Sequence, residues 1–277
     1  MSSQLGEEPS TVNVSALYCY PVKSCGGIAL EEALVDARGF QHDRQWMIVN
    51  EAGLFLTQRD LPRMALIRPR LETGQLVLRA PAMPEIALPF KQDGTRVSVT
   101  VWRSACEAID QGREIAEWLS TFLSARARLV RMADDCTRQV NPEFARRPSD
   151  QVGFADGYPF LLISENSLNG LNQRLLTPVP MNRFRPNIVI SGCEPHAEDA
   201  WNRVRIGEVN FDVVKPCARC VITTTDQHTA ERGEEPLKTL ASYRKATSGG
   251  ILFGQNLIHA NRGTIRVGDL LTVVSAK

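Results

Sequence analysis

Short runs of β-branched and aliphatic residues, cut by turns every few positions, fill residues 11–108 and leave room for a barrel or a sandwich and little else. Residues 12–19, Val-Asn-Val-Ser-Ala-Leu-Tyr-Cys, alternate with the strand period, and 28–35, 43–49, 65–68, 75–79 and 96–102 read as further strands. Asn50-Glu-Ala-Gly53 supplies a hairpin turn. One stretch breaks the pattern. Ile115, Trp118, Leu119, Phe122 and Leu123 recur at helical spacing, which predicts an amphipathic helix over 113–123 with Trp118 in the core and no cofactor role for it. Residues 127–132 return to strand, and the polar, proline-bearing run 134–150 divides the chain.

Beyond that division come a short buried strand at 160–163 and a helix capped by Ser164 that reaches about Leu175. A strand over 183–190 is entered through Arg183, Arg185 and Pro186, with Arg185 and Asn187 two apart and so able to share a face. Residues 204–214 form a hairpin, 235–244 a helix with Pro236 in its first turn, and 252–258 and 263–274 strands.

The hairpin delivers Lys215-Pro-Cys-Ala-Arg-Cys220. Cys217 and Cys220 have a spacing that can hold a metal, form a redox disulfide or give one thiolate to a bound cofactor. A closed zinc site needs a second pair or two nearby histidines, and His42, His196, His228 and His259 are scattered singly. A thioredoxin-like pair sits at a helix N-terminus, whereas Val221-Ile-Thr-Thr-Thr225 reads as strand. One thiolate acting as ligand or nucleophile fits these neighbours, with Arg219 supplying positive charge that favours the ionised sulfur. A thiol pair packed as two small hydrophobes is the plain alternative. Lys23 and Ser24, in the Pro/Gly loop 20–27, are a candidate phosphate grip, and Arg44 is an anion clamp provided Lys23 lies beside it. On local evidence alone an ordinary Pro/Gly turn with a solvated lysine accounts better for the first, and an exposed strand-end arginine accounts for the second. Asp226 and His228 follow the cysteines closely enough to be considered as proton donors, but an ordinary surface loop accounts for them as well.

A chain of 277 residues holds one large domain or two ordinary ones. With 32 basic and 31 acidic side chains its net charge is +1, so no global field draws it to nucleic acid or to a membrane, and any anion site must be local. No run approaches the roughly 18 apolar residues of a membrane span. Seven cysteines at irregular spacing, without an export signal, fit a reducing cytosol, and the expected location is cytoplasmic. No ferredoxin-type cysteine cluster, Gly-rich dinucleotide fingerprint or C-x-x-C-H haem site occurs in the sequence.

Taken together and in order, Tyr20-Pro-Val-Lys-Ser-Cys25, Phe184-Arg-Pro-Asn-Ile-Val-Ile-Ser-Gly192 and Cys217-Ala-Arg-Cys-Val-Ile-Thr-Thr-Thr-Asp226 carry a more specific message. With Glu235-Pro-Leu-Lys-Thr-Leu240 and Leu252-Phe-Gly-Gln-Asn256 behind them, they resemble the MOSC proteins (molybdenum cofactor sulfurase C-terminal domain) that carry a MOSC N-terminal β-barrel domain. The likeness runs from about Val12 to the C-terminus and is similar above all to the mitochondrial amidoxime-reducing components. It implies a β-rich α+β fold, with an N-terminal β-barrel-like domain over 12–133 and a MOSC β-barrel domain with peripheral helices over 134–277; ahead of these, the polar composition of the first residues reads as a disordered tail over 1–11.

The resemblance also implies a cofactor, molybdenum with molybdopterin, and reduction of N-hydroxylated compounds such as amidoximes and hydroxylamines to amidines and amines. Matched position by position, Cys220 is the metal thiolate and Cys217 its neighbour. Lys23, Ser24, Arg44 and Arg185 match positions that hold the pterin phosphate and ring, Ala218, Arg219 and Asn256 line the same site, and Asn187 matches the asparagine of the Arg-Pro-Asn motif. Gly157-Tyr158 stands where the family has Thr-Ser, so that contact is lost or passes to the backbone. Eukaryotic relatives have a membrane-targeting segment and some bacterial relatives an appended ferredoxin domain, where this sequence has a short polar tail and a stop at Lys277. The expected partners are therefore a separate electron-transfer protein, ferredoxin-type or cytochrome b5-type with its reductase, and a small N-hydroxylated substrate, with neither nucleic acid nor membrane. Two other roles stay open on the same residues: a sulfur carrier or transferase with a Cys220 persulfide, and a cofactor-binding protein without turnover.

Overall fold

An eight-stranded sheet carries the second half of the chain in the computed structural model, which describes residues 11–91, 93–247 and 249–277. Its strands lie in the order Leu271–Ala276, Trp201–Ile206, Val209–Arg219, Ile251–His259, Phe160–Ser164, Ile188–Ser191, Asn13–Cys19 and Ile28–Leu30. Phe160–Ser164 and Ile188–Ser191 run parallel and the other neighbours antiparallel. A parallel pair needs a crossover, supplied by the helix Glu165–Asn172, whose first turn is capped by Ser164 accepting from the Ser167 N–H. The sheet curls around Val14, Leu17, Phe160, Ile188, Ile190 and Phe211, and a smaller sheet of Gly263–Arg266, Glu32–Asp36 and Gly39–Phe40 closes over the same core with Val35, Phe40 and Ile265.

The first half builds a four-stranded sheet (Trp46–Val49, Arg128–Met132, Ser104–Asp110, Arg96–Val101) and a three-stranded one (Arg68–Glu72, Gln75–Arg79, Ile86–Pro89). The helix Arg113–Leu123 buries the five apolar residues that its period marks out, packing them with Trp46, Ile48, Leu76 and Leu78. Asp110 accepts the Gly112 N–H at 2.8 Å just before it, and Ser124 ends it in the left-handed conformation. The β-rich α+β expectation is thus borne out, with three α-helices among the described residues. Among those residues no helix is long and apolar enough to cross a membrane.

The halves share backbone. Asn13–Cys19 pairs with Ile188–Ser191 in the large sheet, and Lys23 then donates its N–H to Trp46 O at 2.9 Å in the smaller half. Residues 20–27 therefore run along the seam. Of the expected tail, residues 1–10 fall outside the described residues.

Several local expectations give way to turn chemistry. Pro62 sets a 3-10 turn over Pro62–Leu66, so the strand read at 65–68 starts only at Arg68. The strand read at 28–35 splits at Glu31 between two sheets. Residues 221–225 are not a strand: Val221–Thr224 is a 3-10 turn in which the Thr223 and Thr224 hydroxyls donate to Cys220 O and Val221 O, both at 2.9 Å. Local hydroxyl-to-backbone bonds outweigh the β propensity of those residues. The strand read at 183–190 is extended only from Ile188, because Met181–Arg183 is another 3-10 turn and Arg185 has φ +57°. The strands Ile86–Pro89 and Ser104–Asp110 were not anticipated.

Candidate functional site

Along the seam opens a cleft of about 410 Å³. Six basic side chains line it, Lys23, Arg44, Arg59, Arg185, Lys215 and Arg219, against one acidic one, Asp156. In a chain of almost no net charge, this concentration of cations marks an anion site.

One wall is held by strained backbone. Ser24, Arg44 and Arg185 have φ of +65°, +45° and +57°, in the left-handed region that costs a non-glycine residue about 1–3 kcal/mol. Hydrogen bonds hold each in place. The Arg44 N–H donates to Tyr20 O, and Arg44 O accepts from Phe154 N, both at 2.8 Å. Its guanidinium donates to Asp43 Oδ2 at 2.6 Å, to Asn187 Oδ1 at 2.9 Å and to Arg185 O at 3.4 Å. Arg185 donates to Cys25 O at 2.6 Å. Both guanidiniums lie against the buried Tyr20 ring, at 4.4 and 4.3 Å from its centroid. Burial pushes the Tyr20 phenol well up, so it remains protonated beside them.

Asn187 is committed inside this wall. Its amide donates to Tyr18 O and Asp43 Oδ1, each at 3.1 Å, and its carbonyl accepts from Arg44 and from Leu161 N. All four of its bonding positions are taken, and it faces the cleft as support for Arg44.

The opposite rim is the loop 153–158. Gly153 lets it lie directly on residues 43–44, since a Cβ there would stand 2.9 Å from Arg44 O. Arg138 holds the loop from behind, donating to Gly153 O, Ala155 O and Asp156 O at 2.8, 2.6 and 3.0 Å. Asp156 in turn pairs with the buried Lys23 ammonium at 2.5 Å. Burial lowers the Lys23 pKa and Asp156 offsets part of that. Burial alone would raise the Asp156 carboxyl, but Lys23, with Arg59 and the Trp102 N–H, holds it well below the usual carboxylate range.

At the far end the strand Val209–Arg219 bulges between Pro216 and Ala218, and its two thiols diverge. Cys217 packs against an apolar cluster with Leu161 and Phe184, and its sulfur accepts from Arg219 Nη1 at 2.9 Å. Arg219 is thus on Cys217, and the charge expected from it at Cys220 comes from Arg59, whose Nη2 lies 3.3 Å from Cys220 Sγ. Arg59 is pinned there by its neighbours: Gln58 and Gln227 exchange amide hydrogen bonds at 3.2 and 3.0 Å, and Arg232 donates to Arg59 O at 3.2 Å. Among the described residues no three His, Cys, Asp or Glu side chains stand together as a metal cage, so a metal at Cys220 needs donors brought by its own ligand. Asp226 is occupied otherwise, accepting from His228 N, Thr229 N and Arg183 at 2.7, 3.0 and 2.8 Å.

The eleven residues assigned from the sequence to the metal and cofactor all line this one cleft, whereas Asp226 and His228, considered as proton donors, do not. Lys23, Ser24 and Arg44 come from the first half, Gly157 and Tyr158 from the rim loop, and Arg185 and Asn187 from the segment before Ile188. Ala218, Arg219 and Cys220 come from the end of the hairpin, and Asn256, which donates to Lys215 O at 3.2 Å, from the adjacent strand. A Cβ on Gly157 would meet nothing within 4 Å, so a side chain is allowed there. Sequence reasoning missed Arg59, Trp102 and Asp156, which also line the cleft. Asp156 lies beside Gly157 in a loop already singled out and was within reach; Arg59 carries no local signal.

The charge of the cleft has a pH limit. Burial pushes the Arg185 guanidinium down to about 10, and nearby Arg44 adds to the effect. A cation whose folded pKa is depressed gives up its proton before it would in the unfolded chain, and a bound anion favours the protonated form. A phosphate-bearing ligand is therefore retained at neutral pH, and because it holds the proton on Arg185, it is shed only as the pH rises above about 10. Ligand content after gel filtration across that range checks this, with circular dichroism following the fold. Retention that outlasts the fold would contradict it.

Residues 11–126 match the MOSC N-terminal beta barrel domain, and 149–272 match the MOSC domain. The chain is 40% identical over 275 residues to mitochondrial amidoxime-reducing component 1 of Mus musculus, a match covering 92% of this chain and 80% of that one. To the Homo sapiens component 1 it is 38% identical over 273 residues, covering 92% and 81%. To mitochondrial amidoxime reducing component 2 of Rattus norvegicus it is 37% identical over 276 residues, with the same two shares, 92% and 81%. These relatives are named as mitochondrial, which overturns the cytoplasmic location expected from cysteine usage.

Proposed function

The chain belongs to the MOSC family, in the form that carries a MOSC N-terminal β-barrel domain ahead of the MOSC domain, and from that membership we propose that it is a molybdenum-cofactor-dependent reductase of N-hydroxylated compounds. The observation that carries the reading is the joint character of the cleft: six cations and the half-buried Cys220 thiol line the same cavity. Such a lining fits a ligand that brings both a phosphate and its own sulfur donors for a metal, as molybdopterin does. When bound, that cofactor supplies a two-electron redox centre able to cleave an N–O bond, so that R–NHOH, two electrons and two protons give R–NH2 and water.

In this reading Cys220 is the protein's thiolate to molybdenum. Lys23, Ser24, Arg44, Arg185 and Arg219 hold the phosphate and ring by charge-assisted hydrogen bonds. Gly157, Tyr158, Ala218 and Asn256 complete the walls, and Asn187 keeps Arg44 in position. Residues 12–133 and 134–277 act as two units gripping one ligand. The names of the relatives, amidoxime-reducing components, support amidoximes as the substrate class.

Electrons come from a separate protein, ferredoxin-type or cytochrome b5-type, with its reductase. A partner of this kind docks transiently through a small charged patch, and its association weakens with salt. The purified protein with NADH alone is expected to leave benzamidoxime unreduced. A chemical reductant, or such a partner with its reductase, is expected to yield benzamidine. Molybdenum and pterin near one per chain with no turnover under any reductant would make it a binding protein, and a metal-free chain with labile sulfur on Cys220 would make it a sulfur carrier.

A further inference from the structure

Trp102 occupies a place that a turn ordinarily gives to asparagine, aspartate or glycine. It is the first of two residues joining the antiparallel strands Arg96–Val101 and Ser104–Asp110, and its φ is +55°. A bulky side chain in the left-handed region is an outlier, and an Asn-Gly pair would make the same turn without that cost. A strained residue kept at the edge of a binding cleft directs attention to what its side chain does. Trp46, Trp118 and Trp201 are 0, 6 and 7% exposed, whereas Trp102 is 47% exposed.

The ring is also held in one orientation. Its Nε1–H donates to Asp156 Oδ1 at 3.1 Å, the Phe55 ring lies 5.1 Å away, and the Arg59 guanidinium sits 4.9 Å from its centroid. Arg59 reaches from that ring to Cys220 Sγ, so the indole stands one side chain away from the thiol. Phe160 and Phe184, also in the lining, are fully buried and Tyr158 is half-buried, which makes Trp102 the most exposed aromatic side chain of a strongly cationic cleft.

We propose that Trp102 determines substrate selectivity as an aromatic platform at the mouth of the cleft, on which the flat ring of an aryl N-hydroxylated compound stacks. The selectivity rests on the reductase reading; the binding does not. Offset stacking on a fixed indole adds affinity for aryl over aliphatic amidoximes.

The test uses Trp102→Asn, which suits the turn, and Trp102→Phe, which keeps an aromatic face. The probes are benzamidoxime and acetamidoxime, in calorimetric binding and in turnover with the cofactor-loaded enzyme. Trp102→Asn is expected to melt no lower than the parent, to weaken benzamidoxime binding about five- to tenfold, and to lower the ratio of benzamidoxime to acetamidoxime kcat/KM by the same factor through KM. Trp102→Phe keeps most of both. An unchanged benzamidoxime Kd in Trp102→Asn overturns the proposal, as does an equal loss for the two probes. A parent that binds benzamidoxime through Trp102 yet reduces neither probe when fully loaded sinks the reductase reading and leaves the platform standing.

Discussion

Cys220→Ala is expected to lose bound molybdenum and all measurable turnover while still folding and melting like the metal-free parent, and Cys217→Ala is expected to retain metal and activity, reduced by no more than about 10- to 100-fold. The contrast follows from where the two sulfurs sit. Cys220 is half-buried, precedes a 3-10 turn held by its own backbone, and has one side-chain donor, Arg59 at 3.3 Å. Removing the sulfur leaves the fold's bonds intact. Cys217 packs on the cluster around Phe184 and accepts from Arg219, so its loss loosens a guanidinium that still donates to Phe184 O at 2.6 Å. That is the effect of a supporting residue, typically 10- to 100-fold or less, whereas losing the one thiolate ligand exceeds it. Metal analysis, benzamidoxime reduction and thermal melts on both variants check this. Equal and complete loss in both would mean that the two thiols act together at the metal.

The parts of this molecule that obey short-range rules were legible in the sequence. The five apolar positions of the helix Arg113–Leu123, the Ser164 cap and most strands follow from period and turn residues alone. The thiol, the phosphate grip and the arginines could be named because each lies in a short motif. Their meeting could not be read that way, because it depends on the pairing of Asn13–Cys19 with Ile188–Ser191 and on contacts such as Arg59 to Cys220, 161 residues apart. Arg59 therefore carried no signal, and Arg219 was credited with a charge that it delivers to the other cysteine. The misread strand at 221–225 has the opposite cause: a purely local bond from two threonine hydroxyls overrode a propensity that speaks for sheet.

Arg44 carries two duties that one substitution would confuse and two can separate. Its guanidinium and Asp43 form a buried pair, with side chains 13 and 2% exposed, and the Asp43 carboxylate also accepts from Tyr20 N at 2.8 Å and Asn187 Nδ2 at 3.1 Å. Arg44→Ala keeps the Cβ, and with it the strain at φ +45°, so what changes is the loss of the cation from beside a buried carboxylate. Breaking such a pair costs about 3–5 kcal/mol, which lowers the melting temperature by roughly 10 °C in a chain of this size. The variant is expected to purify depleted in pterin and molybdenum as well. Adding Asp43→Asn removes the stranded charge while keeping an acceptor for the Tyr20 N–H, so the double variant should recover part of the lost melting temperature. It should not recover the cofactor, because no cation has returned to the cleft. Melting curves and pterin content on the two single variants and the double variant complete the cycle. If the double variant retains cofactor like the parent, Arg44 serves the fold alone, and the phosphate is held by Lys23, Arg185 and Arg219 without it.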